Sequence, residues 1–223
     1  MKTRLLCAVM LLALAKDAMA GDRATRSGDF AWRDRRTASD VAGKSALIMG
    51  FGRIGQRVGA LCRALGLRVA AFDPYMERSP VEGVEMVKDF RAILPETDFL
   101  CLHLPSTPET RDLIGAGELA LLKRGAFVLN CARGGIVDED VLCDALESGH
   151  LGGAGLDVFA KEPPDTAHRL FRQEKVLLSP HNAALTEECA IRMATQAVQN
   201  VLDCLDGKLQ PRVVMNRREI GMA

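Results

Sequence analysis

The hexapeptide GFGRIG at residues 50–55 follows a short apolar run, Ala46 to Met49, and opens a segment compatible with a helix, Arg53 to Leu65. A strand, a glycine-rich turn and a helix in this order are the context that a dinucleotide-binding fingerprint requires. Glycines also simply make turns, so the hexapeptide by itself is a weak signal. The sequence around it decides whether it binds a cofactor.

Each glycine of the hexapeptide has a physical reason to be present in such a site. Gly50 permits the tight turn, Gly52 lets the backbone approach a pyrophosphate, and Gly55 lets the helix pack closely on the strand. The start of the helix adds free N–H groups and a partial positive charge. The sequence therefore predicts that this turn holds the phosphates of a dinucleotide.

A second predicted strand, Leu67 to Phe72, ends in Asp73. This position is close to the offset of about 20 residues at which the fingerprint places the acid that holds the ribose hydroxyls. A carboxylate there accepts hydrogen bonds from the ribose and repels a 2'-phosphate, so Asp73 predicts NAD rather than NADP. Arg78 is the only nearby cation that argues otherwise.

From Ser45 onward, short apolar runs alternate with longer helix-compatible segments, which is typical of a parallel sheet wrapped by helices. The predicted strands are Ala46 to Met49, Leu67 to Phe72, Phe99 to Leu104, Ala126 to Asn130, Ala154 to Asp157 and Val176 to Leu178. The predicted helices are Arg53 to Leu65, Gly117 to Leu122, Glu139 to Glu147 and Thr186 to Leu205. The polar stretch from Gly21 to Lys44 is predicted to be a loop. The fold class is therefore α/β, with one doubly wound parallel sheet.

Composition argues against large charged partners. The chain has 29 basic and 29 acidic residues, so no net field draws it onto nucleic acid or an anionic membrane. Its seven cysteines lack the C-x-x-C spacing of zinc or redox sites, and we predict no metal. They are expected to be reduced thiols that fill the core of a cytoplasmic protein. Cys131 is singled out because it lies two residues before Arg133.

The N-terminus allows two interpretations. The apolar run from Leu5 to Ala15, followed by Ala18-Met19-Ala20, resembles a secretory signal with its cleavage site. Against this, Lys16 and Asp17 interrupt the run, which is also too short to span a bilayer. A buried helix shows the same apolar residues.

Three polar residues follow strand-like runs in the second half of the chain: Arg133, Glu162 and His181. Loops at such strand ends collect where an open parallel sheet binds ligands. Taken singly, they are equally compatible with a surface ion pair, a solvated acid and a structural histidine. Spacing alone does not show that they converge.

A family resemblance connects these residues. The stretches 50–55, 131–139 (CARGGIVDE), 155–159 (GLDVF) with 162–164 (EPP), and 179–181 (SPH) resemble, in order, the signatures of the D-isomer-specific 2-hydroxyacid dehydrogenases. The phosphoglycerate dehydrogenase and glyoxylate/hydroxypyruvate reductase branches are the most similar. The resemblance extends from about Ala8 to Asn216, and it implies an NAD-dependent oxidoreductase that acts on a small 2-oxo or 2-hydroxy acid.

The resemblance implies that Arg133, Glu162 and His181 are the catalytic residues. A histidine that titrates near neutrality is suited to protonate the carbonyl oxygen as hydride arrives. A glutamate hydrogen-bonded to its other ring nitrogen fixes the tautomer. The planar guanidinium of arginine can hold the substrate carboxylate and polarise the carbonyl.

By the same resemblance, Asp157 holds the nicotinamide carboxamide and the segment Leu104-Pro105-Ser106 lines the cofactor, although a strand-end capping role for Asp157 remains open. The remaining histidines are expected to be structural (His103) or on the surface (His150, His168). The full set of predicted cofactor-binding residues is Gly50, Gly52, Arg53, Ile54, Gly55, Asp73, Leu104, Pro105, Cys131, Ala132 and Asp157.

In this family a substrate domain is built from a segment before the cofactor domain and from the C-terminal end of the chain. We therefore expect residues 1–208 to be the NAD-binding domain with its N-terminal linking helix, and 209–223 to be a remnant of the substrate domain. The chain is expected to be N-terminally truncated, with impaired turnover because domain closure completes the site. Family dimers form through the cofactor domains, so a homodimer is expected.

One alternative to an enzyme stays open at this point. The C-terminal-binding-protein corepressors are similar to this family and use NAD to control assembly. The arginine, glutamate and histidine set favours the enzyme, whereas the missing segment favours a non-catalytic NAD-binding protein.

Overall fold

Residues 3–35, 37–217 and 219–221 are described by the computed structural model, and within them seven parallel strands form one sheet. The strands are β1 (Ser45–Met49), β2 (Arg68–Phe72), β3 (Val84–Met86), β4 (Phe99–Leu102), β5 (Ala126–Asn130), β6 (Leu151–Leu156) and β7 (Val176–Leu178). Their order across the sheet is β3-β2-β1-β4-β5-β6-β7. The predicted doubly wound α/β fold is confirmed.

Strand β1 lies where the order of the sheet reverses. Met49, its last residue, pairs with Phe72 of β2 on one side and with Leu102 of β4 on the other. The residues after these three strand ends therefore meet at one edge of the sheet. In an open α/β sheet this switch point, at the carboxyl ends of the strands, is where ligands bind.

The described residues form six α-helices: α1 (Thr3–Ala15), α2 (Ala18–Arg26), α3 (Arg53–Ala64), α4 (Ala116–Leu121), α5 (Glu139–Glu147) and α6 (Glu187–Leu205). Helices α1 and α3 pack on one face of the sheet, and α4 and α5 pack on the other. Local chemistry sets some of their starts: the Asp138 side chain caps α5 by accepting the N–H groups of Asp140 and Val141.

The sheet divides the core into two layers. Along β4, Phe99 and Cys101 face the layer that contains α1 and α3, while Leu100 and Leu102 face the layer that contains α5. Near-continuous apolar strands of this kind are expected for a parallel sheet buried on both faces.

The apolar N-terminal run is helix α1. Met10 and Leu11 are fully buried against the sheet, whereas Leu5 and Val9 on the opposite side are half exposed. Burial of the Met10 and Leu11 side chains stabilises the fold by about 1.5–3 kcal/mol each. Helix α1 is therefore part of the folded core.

Several predicted boundaries were wrong. The supposed loop from Gly21 to Lys44 contains the end of α2, stabilised by the exposed Arg26–Asp22 pair one turn apart, and a 3-10 helix at Phe30–Arg35. Neither has a buried residue, so hydrophobic periodicity could not reveal them.

Strand predictions failed where the apolar signal was weak. Strand β3 was missed because it has only three residues and lies at the sheet edge. Strand β6 begins at Leu151 rather than Ala154, because glycines hide its start, and ends before Asp157. Strand β4 ends at Leu102 rather than Leu104.

The chain divides into two compact units, one ending at Ala183 and the other beginning at Ala184. The sheet and helices α1 to α5 belong to the first unit, and α6 belongs to the second. Among the described residues, no helix has both the length and the apolar character needed to cross a membrane.

Candidate active site

The glycine-rich turn between β1 and α3 forms an open cradle. Gly50 has φ +85°, and a Cβ added there would lie 2.6 Å from the His103 carbonyl oxygen. A Cβ on Gly55 would overlap the Gly50 carbonyl oxygen. Both positions therefore require glycine for backbone conformation or close packing.

Gly52 has a different role, because a Cβ there would meet no atom within 4 Å. It precedes the first residue of α3 and provides no side-chain cap. The first N–H groups of a helix have no intrahelical acceptor, so those of Arg53 and Ile54 are left for a ligand. This open, uncapped helix start fits the pyrophosphate of a dinucleotide.

The Asp73 carboxylate joins the end of β2 to this turn. Its Oδ2 accepts the N–H of Phe51 at 2.8 Å, and its Oδ1 accepts the N–H of Tyr75 at 3.0 Å. Asp73 also lines a cavity of about 420 Å³ together with Arg78 and Lys88. Lys88 is a second cation near Asp73 that the sequence analysis overlooked.

His181 and Glu162 form a hydrogen-bonded pair. The Nδ1 of His181 lies 2.7 Å from Oε2 of Glu162, and the other carboxylate oxygen accepts the N–H of Phe159 at 3.0 Å. The hydrogen bond with His181 lowers the pKa of Glu162, helped by the Phe159 N–H and the Arg133 charge and opposed by partial burial.

This pair is accessible to a ligand. The His181 side chain is 50% exposed and that of Glu162 36%. Nδ1 is engaged by the carboxylate, whereas Nε2 has no partner within the described part of the chain. An ionised Glu162 accepts a hydrogen bond from the protonated Nδ1, which leaves Nε2 as the atom available for proton exchange.

Arg133 lies in a loop held by Asn130, the last residue of β5. The Asn130 side chain donates to the Arg133 carbonyl oxygen at 2.9 Å and accepts the N–H of Ala132 at 3.1 Å. The exposed Arg133 guanidinium donates to the Ala132 carbonyl oxygen at 2.6 Å, and no carboxylate of the described residues lies within ion-pair distance. Most of its donors are therefore available to an anionic substrate.

Gly134 joins this loop to the loop that carries Glu162. A Cβ on Gly134 would overlap the Phe159 carbonyl oxygen, so the two backbones touch. Sequence reasoning missed both Gly134 and Asn130. A polar asparagine ending an otherwise apolar strand was the available signal for the latter.

Asp157, which follows β6, is buried with 1% exposure. Its Oδ1 accepts the N–H of Asn182 and its Oδ2 that of Ala183, both at 3.0 Å. The carboxylate thus contacts the loop that follows His181. The predicted contact with the nicotinamide stays a prediction.

The remaining predicted cofactor residues differ in what they can offer. Leu104, Cys131 and Ala132 are buried, with exposures of 8%, 5% and 8%. The Cys131 sulfur lies 3.8 Å from the Met10 sulfur, and hydrogen bonding with Cys7 together with burial raises its pKa far above the usual value. Only the backbone of Cys131 is suited to contact a cofactor.

His103 follows β4 and is half-buried, but both of its ring nitrogens are buried and have no partner among the described residues. Burial lowers the pKa of His103 to about 4. His150 and His168 have structural partners, the Leu119 carbonyl oxygen and Asp140 respectively. The described residues contain no group of three or more histidine, cysteine or acidic side chains that could hold a metal ion.

Comparison with known proteins matches residues 8–183 to the model for "D-isomer specific 2-hydroxyacid dehydrogenase, NAD binding domain". The match ends at Ala183, where the first compact unit also ends. Its description names NAD, the cofactor that the fingerprint and Asp73 predict.

Individual relatives agree with this match. The chain is 36% identical over 207 residues to D-3-phosphoglycerate dehydrogenase of Methanocaldococcus jannaschii, covering 92% of this chain and 39% of the relative. It is 37% identical over 217 residues to glyoxylate reductase of Aeropyrum pernix, covering 92% and 63%. The chain thus spans less than two thirds of these relatives.

Solved structures share the fold. D-lactate dehydrogenase of Aquifex aeolicus, complexed with NAD and lactic acid, superposes with a TM-score of 0.86 at 26% identity, covering 93% of this chain and 67% of that one. The TT0316 protein of Thermus thermophilus gives 0.85 at 35% identity, covering 94% and 67%.

Proposed function

The chain belongs to the D-isomer-specific 2-hydroxyacid dehydrogenase family. We propose that it acts as an NAD-dependent oxidoreductase that interconverts a small 2-oxo acid and its D-2-hydroxy acid. The observation that carries this proposal is the 2.7 Å contact between His181 and Glu162. It leaves an accessible imidazole nitrogen in the unit that also holds the dinucleotide cradle and Arg133, whose charge acts on Glu162.

Cofactor binding rests on the residues that follow the carboxyl ends of β1 and β2. The uncapped start of α3 provides N–H groups for the pyrophosphate, and Asp73 provides carboxylate oxygens for the adenosine ribose. When bound, NADH supplies the hydride that is added to the substrate carbonyl carbon.

His181 supplies the proton. As the carbonyl carbon receives hydride, the Nε2 proton moves to the carbonyl oxygen and a hydroxyl group forms. Glu162 accepts the Nδ1 proton in a hydrogen bond, so it fixes the ring orientation and stabilises the imidazolium before transfer. In the reverse direction Nε2 takes the hydroxyl proton.

Arg133 binds the other end of the substrate. Its guanidinium presents parallel N–H donors that match a carboxylate, and this positions the adjacent carbonyl for reaction. The Asn130 side chain and the Gly134 contact fix the backbone on both sides of Arg133. The substrate class that fits this arrangement is an acid with its carbonyl next to the carboxylate.

The test is to follow oxidation of NADH by the purified chain with glyoxylate, hydroxypyruvate and pyruvate, beside a titration of NADH binding. Turnover of any of the acids supports the proposal. Binding of NADH without turnover of any 2-oxo acid contradicts it for this chain and favours a non-catalytic NAD-binding protein.

We also propose a homodimer that forms through the NAD-binding units. We further propose that the NAD-binding domain ends at residue 208, that the substrate-domain remnant begins at residue 209, and that the protein is cytoplasmic. Seven free cysteines support the last of these, because unpaired thiols are typical of reducing compartments. Analytical ultracentrifugation tests the first, and a monomer at all concentrations contradicts it.

A further inference from the structure

We propose that Asp157 is a positioning residue: by binding the N–H groups of Asn182 and Ala183, it holds His181 in its working orientation. This rests on the proposed function of His181 as the proton donor. It assigns Asp157 a role that does not depend on the cofactor.

The burial of Asp157 is the first reason. Its carboxylate is 1% exposed, and an ionised group in such a place must be satisfied by hydrogen bonds. Each oxygen accepts one N–H from the loop, at 3.0 Å. The Asp157 backbone is itself fixed, because its N–H donates to the Asn130 carbonyl oxygen of the neighbouring strand at 3.0 Å.

The backbone of His181 is the second reason. Its φ is +51°, in the left-handed region that residues with a side chain rarely adopt. Such conformations persist only where surrounding contacts enforce them. The two N–H groups that Asp157 accepts belong to the residues directly after His181, so Asp157 fixes the chain where it leaves the strained residue.

The other side of His181 is fixed independently. The Ser179 N–H donates to the Leu156 carbonyl oxygen at 2.9 Å, which places the loop at the end of β6. The Ser179 hydroxyl donates to the Asn182 side chain at 2.7 Å. Without Asp157, the segment after His181 loses its contacts to the strand end and the left-handed conformation loses its support.

A consequence follows for the catalytic pair. The imidazole contacts Oε2 of Glu162 from this backbone conformation, and the two residues lie on different loops, so the contact depends on how each loop is held. When the loop relaxes, the ring leaves the carboxylate. Glu162 then loses the main interaction that keeps its pKa low.

The test uses Asp157→Asn in the full, cofactor-free chain. Asparagine keeps the shape, but its nitrogen can only donate, so one of the two loop N–H groups faces a donor. We expect the Glu162 pKa, followed by carboxyl carbon NMR, to rise toward its ordinary value. We also expect the Asn182 and Ala183 amides to exchange with solvent at least about 10-fold faster, as for a lost buried hydrogen bond.

Asp165→Asn is the matched control. Asp165 is exposed, lies in the same half of the chain and also accepts one backbone N–H, that of Ala167 at 2.9 Å. This substitution should leave the Glu162 pKa and the two amides unchanged.

Three outcomes overturn the proposal. One is a folded Asp157→Asn protein in which the Glu162 pKa and the exchange rates of both amides are unchanged. If that protein also binds NADH more weakly, Asp157 is a cofactor ligand instead. The second is a control that moves the same readouts. The third applies if Asp157→Asn does not fold: rapid solvent exchange of the Asn182 and Ala183 amides in the unsubstituted protein contradicts their hydrogen bonds to Asp157.

Failure of the proposed function is a separate result. These measurements need neither cofactor nor substrate, so a chain that turns over no 2-oxo acid leaves them intact. Where the unsubstituted chain is active, Asp157→Asn should lower turnover by about 100-fold, as expected for a misplaced catalytic group.

Discussion

The Nδ1 atom of His181 lies 2.7 Å from Oε2 of Glu162, although the two residues follow different strands. Glu162 lies in the loop after β6 and His181 in the loop after β7, and β6 pairs directly with β7. Because the two strands are parallel neighbours, both side chains lie at the same edge of the sheet.

Replacing Glu162 with glutamine should weaken the fold in a pH-dependent way. Its folded-state pKa lies below the usual value of 4.5, so its charge stabilises the protein fully above that pH. The stabilisation is lost as the pH falls through the lowered pKa. The pair is half exposed, so the free energy of unfolding should differ by less than about 1 kcal/mol.

Urea unfolding at stepwise lower pH measures this difference. The gap between the natural protein and Glu162→Gln should be largest near neutrality and close in acid. The exposed Glu174→Gln serves as control and should show no gap at any pH. A gap that is constant with pH contradicts the assigned cause.

Removing the imidazole should abolish proton transfer while sparing the cofactor site. We expect His181→Ala to lower turnover of the 2-oxo acid by about 100- to 10,000-fold, the usual contribution of a general acid. The dissociation constant of NADH should not change. His150→Ala, which removes a ring hydrogen-bonded to the Leu119 carbonyl oxygen, should keep full activity. An active His181→Ala protein removes His181 from the mechanism.

Changing Arg133 to lysine keeps the charge and removes the planar pair of donors. The Michaelis constant of the oxo acid should rise by about 10- to 100-fold, the equivalent of one charge-assisted hydrogen bond. Steady-state kinetics at saturating NADH measures it. Arg172→Lys, at an exposed site, is the control. Equal Michaelis constants for the natural protein, Arg133→Lys and Arg172→Lys would place Arg133 outside the substrate site.

Asp73 should decide the choice of cofactor. Asp73→Ala removes the carboxylate and exposes any ligand to Arg78 and Lys88, which line the same cavity. We expect NADH binding to weaken by about 10- to 100-fold, the value of hydrogen bonds to a charged group, and the ratio of NADPH to NADH affinity to rise. Fluorescence titration with both cofactors gives this ratio.

Asp89→Ala is a close control for the Asp73 substitution. Like Asp73, Asp89 accepts the N–H of the residue two positions later, in this case Arg91 at 2.9 Å. Unchanged cofactor preference in Asp73→Ala, or the same change in both variants, contradicts the ribose assignment.

Hydrophobic patterning predicted the sheet because parallel strands buried on both faces are apolar runs. It failed at β3, which is short and lies at an edge, and at α2, which has no buried residue. In β6, glycines at 152, 153 and 155 replace the side chains that carry the signal. The family and the NAD cofactor were predicted correctly, because four ordered motifs are far more specific than periodicity.

The candidate site was predictable in its residue types but not in its geometry. Spacing along the chain does not reveal that Glu162 and His181 touch, since this depends on the pairing of β6 with β7. The partners of Asp157 are backbone N–H groups, which every residue except proline carries. No side-chain pattern could therefore indicate them.

Helix α1 offers a test of whether the apolar N-terminal run belongs to the folded core. Met10 is fully buried and contacts both the Cys131 sulfur and Gly155 of β6, so Met10→Ala leaves a cavity beneath the sheet. The free energy of unfolding should fall by about 2–5 kcal/mol. Val9→Ala, one residue earlier and 57% exposed, should change it by less than about 0.5 kcal/mol. Equal effects of the two substitutions in denaturant unfolding would mean that α1 does not pack on the sheet.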